Sequence, residues 1–194
     1  MITLPKVVEL DRQRYMADLE VQTVASKLAF EFNERLSKTN KDPNMRLKFL
    51  RAKVVRFDNE DGKLPRFMAY EKHFRGEAPE FVKYTNNLDF VLNPGSLDEA
   101  ARIRVEVAIA FSHFTHSITD GYLLVCDLQG ITSRNKLGKP TLLLTDPAIH
   151  CEKHLRFGKT NLEAPGISRF FAKHKCNKFC AVLGLKMPTI KNLD

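Results

Sequence analysis

Apolar residues recur with helical spacing near the start of the chain and gather into short β-forming runs further along. In residues 12–36 they fall three or four positions apart, which predicts an amphipathic helix whose apolar face only Gln22 interrupts. Residues 47–57 and 65–71 are rich in β-forming side chains and flank an Asp-Gly turn. They therefore predict a β-hairpin.

The second half of the chain predicts two further helices and a strand. Residues 96–114 begin with a capping-box sequence, Ser-Leu-Asp-Glu, and predict a helix. Residues 121–127 predict a short apolar strand. Residues 167–183 predict a helix that is interrupted near His174 and ends at Gly184. The sum is an α+β fold in which helices pack on one small sheet.

Length and composition favour a single compact domain over residues 1–194. The chain is 43% hydrophobic, enough to bury a core, and no apolar run reaches membrane-spanning length. The first residues lack the hydrophobic region of a signal peptide. Four cysteines, two of them in a metal-binding pattern, indicate a reducing compartment. We therefore expect a cytoplasmic protein with no membrane partner.

The net charge of +8 raises the alternative of a nucleic-acid binder. Residues 151–194 alone hold nine Lys and Arg against three Asp and Glu. A basic face of this kind can bind phosphates on nucleic acid, on nucleotides or on an acidic partner. No nucleic-acid module accompanies these charges, and the aromatic residues among them have the spacing of core positions. We therefore expect a solvated basic face and no nucleic-acid partner.

Four residues in the second half have the composition of a metal site. They are His113, His174, Cys176 and Cys180. Cysteines four apart lie on one face of a helix, and His174 would then lie at the end of a preceding helix or in a turn. Two thiolates and two imidazoles suit a closed tetrahedral zinc site of structural type. The alternative is two half-buried thiols with surface histidines.

Several sequence motifs resemble those of the alpha-type (atypical) protein kinases, which include myosin heavy chain kinases, elongation-factor-two kinase and kinase domains fused to certain ion channels. Asp127-Leu128-Gln129-Gly130 and Thr145-Asp146-Pro147-Ala148-Ile149-His150 resemble the D-x-Q-G and T-D-P-x-I-H motifs of that family. The other matching segments, in family order, are Arg14-Tyr15 to Asp18, Gln22, Ala29, Phe32-Asn33, Gly76 to Asn87 and Phe157 to Leu162. The resemblance covers nearly the whole chain.

This resemblance implies a serine/threonine kinase that uses ATP and magnesium to phosphorylate a protein. It implies a partial N-terminal lobe in residues 1–72 and a zinc-stapled helical C-terminal lobe in residues 73–194. Asp127 and Gln129 would carry the magnesium, for which oxygen ligands are suited, and Asp127 and Asp146 would be catalytic. The remaining nucleotide contacts would be Glu71 at the adenine, Lys83 and Asn87 near the phosphates, and Gly158 and Asn161 in a loop on the substrate side.

Three departures from the family pattern define an alternative function. The residues before Arg14 contain neither the phosphate-binding loop nor the V-A-K lysine of the family, so we expect a truncated N-terminal lobe. Extra residues, Ile131 to Thr141, lie between Asp127 and Asp146, and an insertion there would alter activity if it shifted Asp146. Glu163 stands where the family has glycine. The alternative is a weak or inactive kinase-derived binding or regulatory domain that keeps the zinc site, and we expect this chain alone to be a weak or inactive kinase.

Overall fold

The computed structural model describes residues 4–39, 44–57, 66–71, 80–93, 95, 97–135 and 138–189. Within these ranges the chain forms four helices and eight strands. The helices are α1 (Leu4–Ser37), α2 (Glu99–Ile118), α3 (Glu163–Lys173) and α4 (Lys178–Val182). The strands are β1 (Arg46–Phe49), β2 (Lys53–Phe57), β3 (Arg66–Tyr70), β4 (Val82–Lys83), β5 (Leu123–Cys126), β6 (Gln129–Arg134), β7 (Pro140–Thr145) and β8 (Ala148–Cys151). The mixed α+β class is confirmed.

The strands form three sheets where the sequence predicted one. A four-stranded sheet has the order β1-β7-β6-β4, and two-stranded sheets pair β2 with β3 and β5 with β8. The predicted strand over 47–57 is divided, because β1 runs parallel to β7 while β2 forms the hairpin with β3. The hairpin itself is confirmed, and its predicted Asp-Gly turn lies outside the described residues.

Helix α1 begins earlier than predicted and buries the expected apolar face. Phe32 is fully buried, and its ring lies 5.6 Å from Phe111 and 5.4 Å from Phe114 in edge-on contacts. The next residue, Asn33, donates from Nδ2 to the Leu47 carbonyl (2.7 Å) and accepts at Oδ1 from the Leu47 N–H (3.0 Å). Its carboxamide thus takes the place of a neighbouring strand at the open edge of β1.

Helix α2 starts two residues later than the capping box suggested. Asp98, rather than Ser96, is the N-cap, and its carboxylate accepts from the Ala101 N–H (2.7 Å). The middle of α2 is buried throughout. Thr115 on this helix accepts a hydrogen bond from the Val125 N–H (2.9 Å), which ties α2 to the edge of β5.

The C-terminal helical region is interrupted as predicted. Helix α3 ends at Lys173, and His174 is its C-cap. Helix α4 starts after Asn177, whose side chain accepts from the N–H groups of Phe179 and Cys180. Cys176 therefore precedes α4, so the prediction that both cysteines lie on one helix face is wrong. No helix in the described ranges is long and apolar enough to cross a membrane.

Candidate active site and metal centre

One end of the four-stranded sheet brings the polar motif residues together. Lys83 of β4 pairs with Gln129 of β6, and Gln129 pairs in turn with Thr145 of β7. The three residues form one row across three strands, and Asp146 follows immediately. Gly130 permits this close pairing, because a Cβ at that position would come within 2.1 Å of the Leu143 carbonyl oxygen.

Asp127 reaches this row through a sharp turn of the backbone. Its φ of +54° lies in the left-handed region, so the chain leaves β5 and enters β6 of a different sheet. The direction of the Asp127 side chain is therefore set by this turn and not by a continuous strand from Asp127 to Gln129. The carboxylate is largely shielded, with 19% side-chain exposure, and its Oδ1 lies 2.7 Å from Lys83 Nζ. A carboxylate oxygen beside an amide oxygen is a donor set that fits Mg²⁺.

The extra residues form the outer part of a regular hairpin. The ladder between β6 and β7 runs without interruption from Gln129↔Thr145 to Arg134↔Pro140. The segment Ile131 to Thr141 starts two residues after Gln129 and ends four residues before Thr145, so it includes the turn and most of the ladder. The extra sequence therefore lengthens the hairpin.

Glu71 directly follows β3, and its carboxylate accepts hydrogen bonds from two donors. Gln22 Nε2 donates to Glu71 Oε1 (2.7 Å), and the Thr145 hydroxyl donates to Oε2. Gln22 Nε2 also donates to the Leu50 carbonyl (2.7 Å), which explains why a polar residue interrupts the apolar face of α1. Burial raises the pKa of Glu71, and the nearby Asp146 raises it further.

Asp18 is a member of this site to which the sequence assigned no role. Burial raises its pKa, Arg14 opposes that shift, and Asp146 adds to it. Asp146 itself has a φ of +46°, so its backbone is in the left-handed region as well. The R-Y-x-x-D pattern around Asp18 was the signal available in the sequence.

The loop after β8 carries two further predicted nucleotide residues, Gly158 and Asn161. Asn161 is buried, and its side chain bonds to backbone groups of Cys151, Lys153 and Glu163. Its amide group therefore holds the loop together, and a nucleotide contact here would come from the backbone. Gly158 has a φ of +79° and packs near Ala17 of α1, beside Asp18.

Asn87 joins this loop to the strand that carries Lys83. Its Nδ2 donates to the Thr160 carbonyl (3.5 Å), and its own carbonyl accepts from His150 Nε2 (2.9 Å). His150 Nδ1 accepts from the Leu162 N–H (3.0 Å), so the proton of this neutral ring is on Nε2. Burial lowers the pKa of His150, consistent with that neutral form.

Glu163 shows why the family pattern favours glycine at this point. Its φ of +56° is in the left-handed region, which a glycine would adopt without strain. The glutamate is accommodated here, and its carboxylate bonds to His154 Nδ1. The fold thus tolerates the substitution at some backbone cost.

The four predicted metal ligands converge at one point. The ligand atoms of His113, His174, Cys176 and Cys180 all lie within 4.8 Å of one another. His174 Nε2 is 2.9 Å from His113 Nδ1, 3.5 Å from Cys176 Sγ and 3.7 Å from Cys180 Sγ. Tetrahedral zinc with ordinary bond lengths separates its ligand atoms by roughly 3.3–3.8 Å. The two distances from His174 to sulfur lie in this range, and the two imidazole nitrogens are closer together than an ion between them would hold them.

The surroundings of the cluster hold its two histidines in neutral forms that can bind a cation. His113 Nε2 donates to the Lys186 carbonyl (3.1 Å), which leaves the Nδ1 lone pair facing the other ligands. Burial lowers the pKa of His174 to about 4, so this imidazole is neutral. Phe170 stacks on the His174 ring at 5.1 Å. Cys176 is the one exposed member of the four.

A lysine and carboxylate pair, a glutamine in the neighbouring strand and a separate aspartate at the end of a sheet are residue types that phosphoryl transfer uses. Comparison with known proteins shows the family of this chain. The model of the alpha-kinase family matches residues 2–180. The chain belongs to the alpha-kinase family.

Relatives and solved structures resemble nearly the whole chain. Alpha-protein kinase vwkA of Dictyostelium discoideum is 37% identical over 182 residues, which are 93% of this chain and 26% of that protein. Eukaryotic elongation factor 2 kinase of Rattus norvegicus is 30% identical over 176 residues, 91% of this chain and 20% of that protein. This chain thus spans about a quarter or less of the length of these relatives.

The fold also matches a solved kinase domain. The crystal structure of the alpha-kinase domain of myosin-II heavy chain kinase A in complex with AMP-PNP superposes with a TM-score of 0.68 at 29% identity. The match covers 91% of this chain and 58% of that one. That relative binds an ATP analogue.

Proposed function

We propose that this chain is a serine/threonine protein kinase domain of the alpha type, which transfers the γ-phosphoryl group of ATP to a protein hydroxyl. The observation that carries the proposal is the row of Lys83, Gln129 and Thr145, with Asp127 and Asp146 at its two ends. Positioning and neutralisation of charge are what phosphoryl transfer requires of a protein.

Each residue has a distinct part in the proposed reaction. Asp127 and Gln129 would hold Mg²⁺, which when bound neutralises phosphate charge. Lys83 supplies a positive charge beside Asp127 and near the phosphates. Asp146 orients the substrate hydroxyl and accepts its proton as the oxygen bonds to the γ-phosphorus and the bond to ADP breaks. Glu71 and Asn87 contact the adenine and phosphate ends of ATP, and the backbone of the loop around Gly158 and Asn161 faces the substrate.

The proposal is tested by incubating the chain with radiolabelled ATP, Mg²⁺ and a basic peptide that contains serine and threonine. Label transfer that disappears in Asp127→Ala and Asp146→Ala supports it. Measurement of ATP affinity by calorimetry separates binding from transfer. Asp127→Ala should remove Mg²⁺-dependent binding, whereas Gln129→Ala should weaken it less, because an amide oxygen is a neutral ligand.

The alternative function, a kinase-derived binding domain, has one observation in its favour. Glu163 places a carboxylate at the position where the family pattern has glycine, next to the loop proposed to face the substrate. Binding of Mg·ATP without label transfer would select this alternative.

We also propose a structural zinc ion held by His113, His174, Cys176 and Cys180. The distances between the four ligand atoms and the hydrogen bond from His113 to Lys186 support this ligand set. The metal would join the middle of α2 to the segment around α4. Such an ion stabilises the fold and takes no part in the reaction.

A further inference from the structure

Gln22 is a buried polar residue on the apolar face of α1, only 5% exposed. Burial of an amide costs free energy unless its hydrogen-bonding groups are paired. Here Nε2 has two acceptors, the Leu50 carbonyl and Glu71 Oε1, each at 2.7 Å. The amide thus connects the helix to the segment between β1 and β2 and to the end of β3.

Thr145 approaches the same carboxylate from the opposite side. Its backbone is fixed in the ladder opposite Gln129, and its hydroxyl donates to Glu71 Oε2. Both oxygens of Glu71 are therefore held by neutral donors that come from different elements. The next residue after Thr145 is Asp146, whose left-handed backbone requires firm support on both sides.

We propose that Gln22 and Thr145 are positioning residues, which orient the Glu71 carboxylate for the adenine and fix its distance from Asp146. This inference rests on the proposed kinase function, in which Glu71 contacts the adenine. Neither residue needs to touch the nucleotide or the substrate. Together they make the nucleotide-side carboxylate and the catalytic aspartate one rigid unit across three elements.

The test is Thr145→Val, which removes the hydroxyl and keeps the shape of the side chain. Binding is measured by calorimetry with three probes: adenosine, ATP with Mg²⁺, and tripolyphosphate with Mg²⁺. The Kd for adenosine and for ATP should rise about tenfold, the factor expected on losing one hydrogen bond to a charged group. The Kd for tripolyphosphate should not change, because that probe does not reach Glu71. Thr145→Ser keeps the hydroxyl and should restore adenosine binding.

Thr141→Val is the matched control. Thr141 lies in the same strand, is 5% exposed, and its hydroxyl has no hydrogen-bond partner among the residues that the structure describes. This variant should leave all three affinities unchanged. Gln22→Met should weaken adenosine binding as Thr145→Val does. In a Glu71→Ala background, Thr145→Val should have no further effect, because both changes act on one interaction.

Two outcomes would overturn the inference. One is an unchanged adenosine affinity in Thr145→Val, and the other is an equal loss for adenosine and tripolyphosphate, which would indicate general damage. Both are distinct from failure of the proposed function, in which the wild-type chain itself would transfer no label or would not bind ATP.

Discussion

At the scale of single residues, the charge of Asp146 affects two other acidic side chains, Asp18 and Glu71. Asp146 raises the pKa of both Asp18 and Glu71, in addition to the larger effect of burial on each. A carboxylate whose pKa is raised on folding binds its proton more tightly in the folded state. Above that pKa the ionised carboxylate therefore lowers the free energy of unfolding. This destabilisation disappears as the pH falls and the group becomes protonated.

Replacing Asp146 with asparagine should therefore raise the melting temperature at pH 7 while abolishing phosphoryl transfer. The gain should shrink as the pH falls through the raised pKa values of Asp18 and Glu71, because protonation removes the same repulsion. Thermal unfolding measured between pH 4 and pH 8 checks this.

The control for that experiment is Asp120→Asn. Asp120 has a φ of +51°, close to the +46° of Asp146, so asparagine gains the same backbone preference at both positions. An equal, pH-independent gain in the two variants would show that backbone conformation, rather than repulsion, is responsible.

Glu163 allows the backbone cost at one residue to be measured. Glu163→Ala and Glu163→Gly both remove the contact with His154, but only glycine adopts the left-handed conformation freely. The glycine variant should be about 1 kcal/mol more stable than the alanine variant in urea unfolding. Equal stability would mean that Glu163 is not under backbone strain.

At the scale of elements, the loop after β8 is held differently at its C-terminal end and in its middle. Asn161 and His150 fix its C-terminal end through buried polar contacts. Its middle is held by a two-fold hydrogen-bonded ion pair of 2.6 Å between Arg156 and Glu20 of α1. Arg156 also lies 4.3 Å from the centre of the Phe157 ring. The second contact is partly exposed and is the weaker of the two.

Glu20→Arg should release the middle of this loop from α1. Trypsin cleavage at the exposed Lys153 and Lys159 should accelerate about two- to fivefold, the range that corresponds to a partly exposed ion pair. The exchanged pair, Glu20→Arg with Arg156→Glu, should return cleavage toward the wild-type rate.

Glu31→Gln provides the comparison for that measurement. It breaks another ion pair of α1, with Lys27 at 2.6 Å, which does not involve the loop. Accelerated cleavage in Glu31→Gln as well would point to loosening of the whole helix.

At the scale of the whole molecule, the four proposed zinc ligands connect α2 to the end of α3 and the start of α4. These elements are about 60 residues apart in sequence, and the contact between His113 and His174 spans 61 positions. A metal that closes such a connection contributes its binding free energy to folding.

Metal analysis should therefore find about one zinc per chain. Chelation, or Cys176→Ala with Cys180→Ala, should lower the melting temperature and expose the C-terminal helices to hydrogen exchange. Cys151→Ala removes a buried thiol outside the cluster and should leave the zinc content unchanged. Full stability in the double variant would exclude a structural metal.

The sequence determined the features whose information is local. Helix α1, the β2–β3 hairpin and the interruption after α3 were predictable, because each depends on spacing or capping over a few residues. The motifs also identified the four His and Cys residues that converge and the polar residues at the end of the sheet.

Only the tertiary structure decided how distant segments pair. Three features depend on strands and helices far apart in the chain: the division of residues 47–57, the row of Lys83, Gln129 and Thr145, and the contacts of Gln22. The same holds for the placement of the extra residues in the β6–β7 hairpin. Local preferences do not encode such pairing, because it is set by which surfaces are buried together once the whole chain has folded.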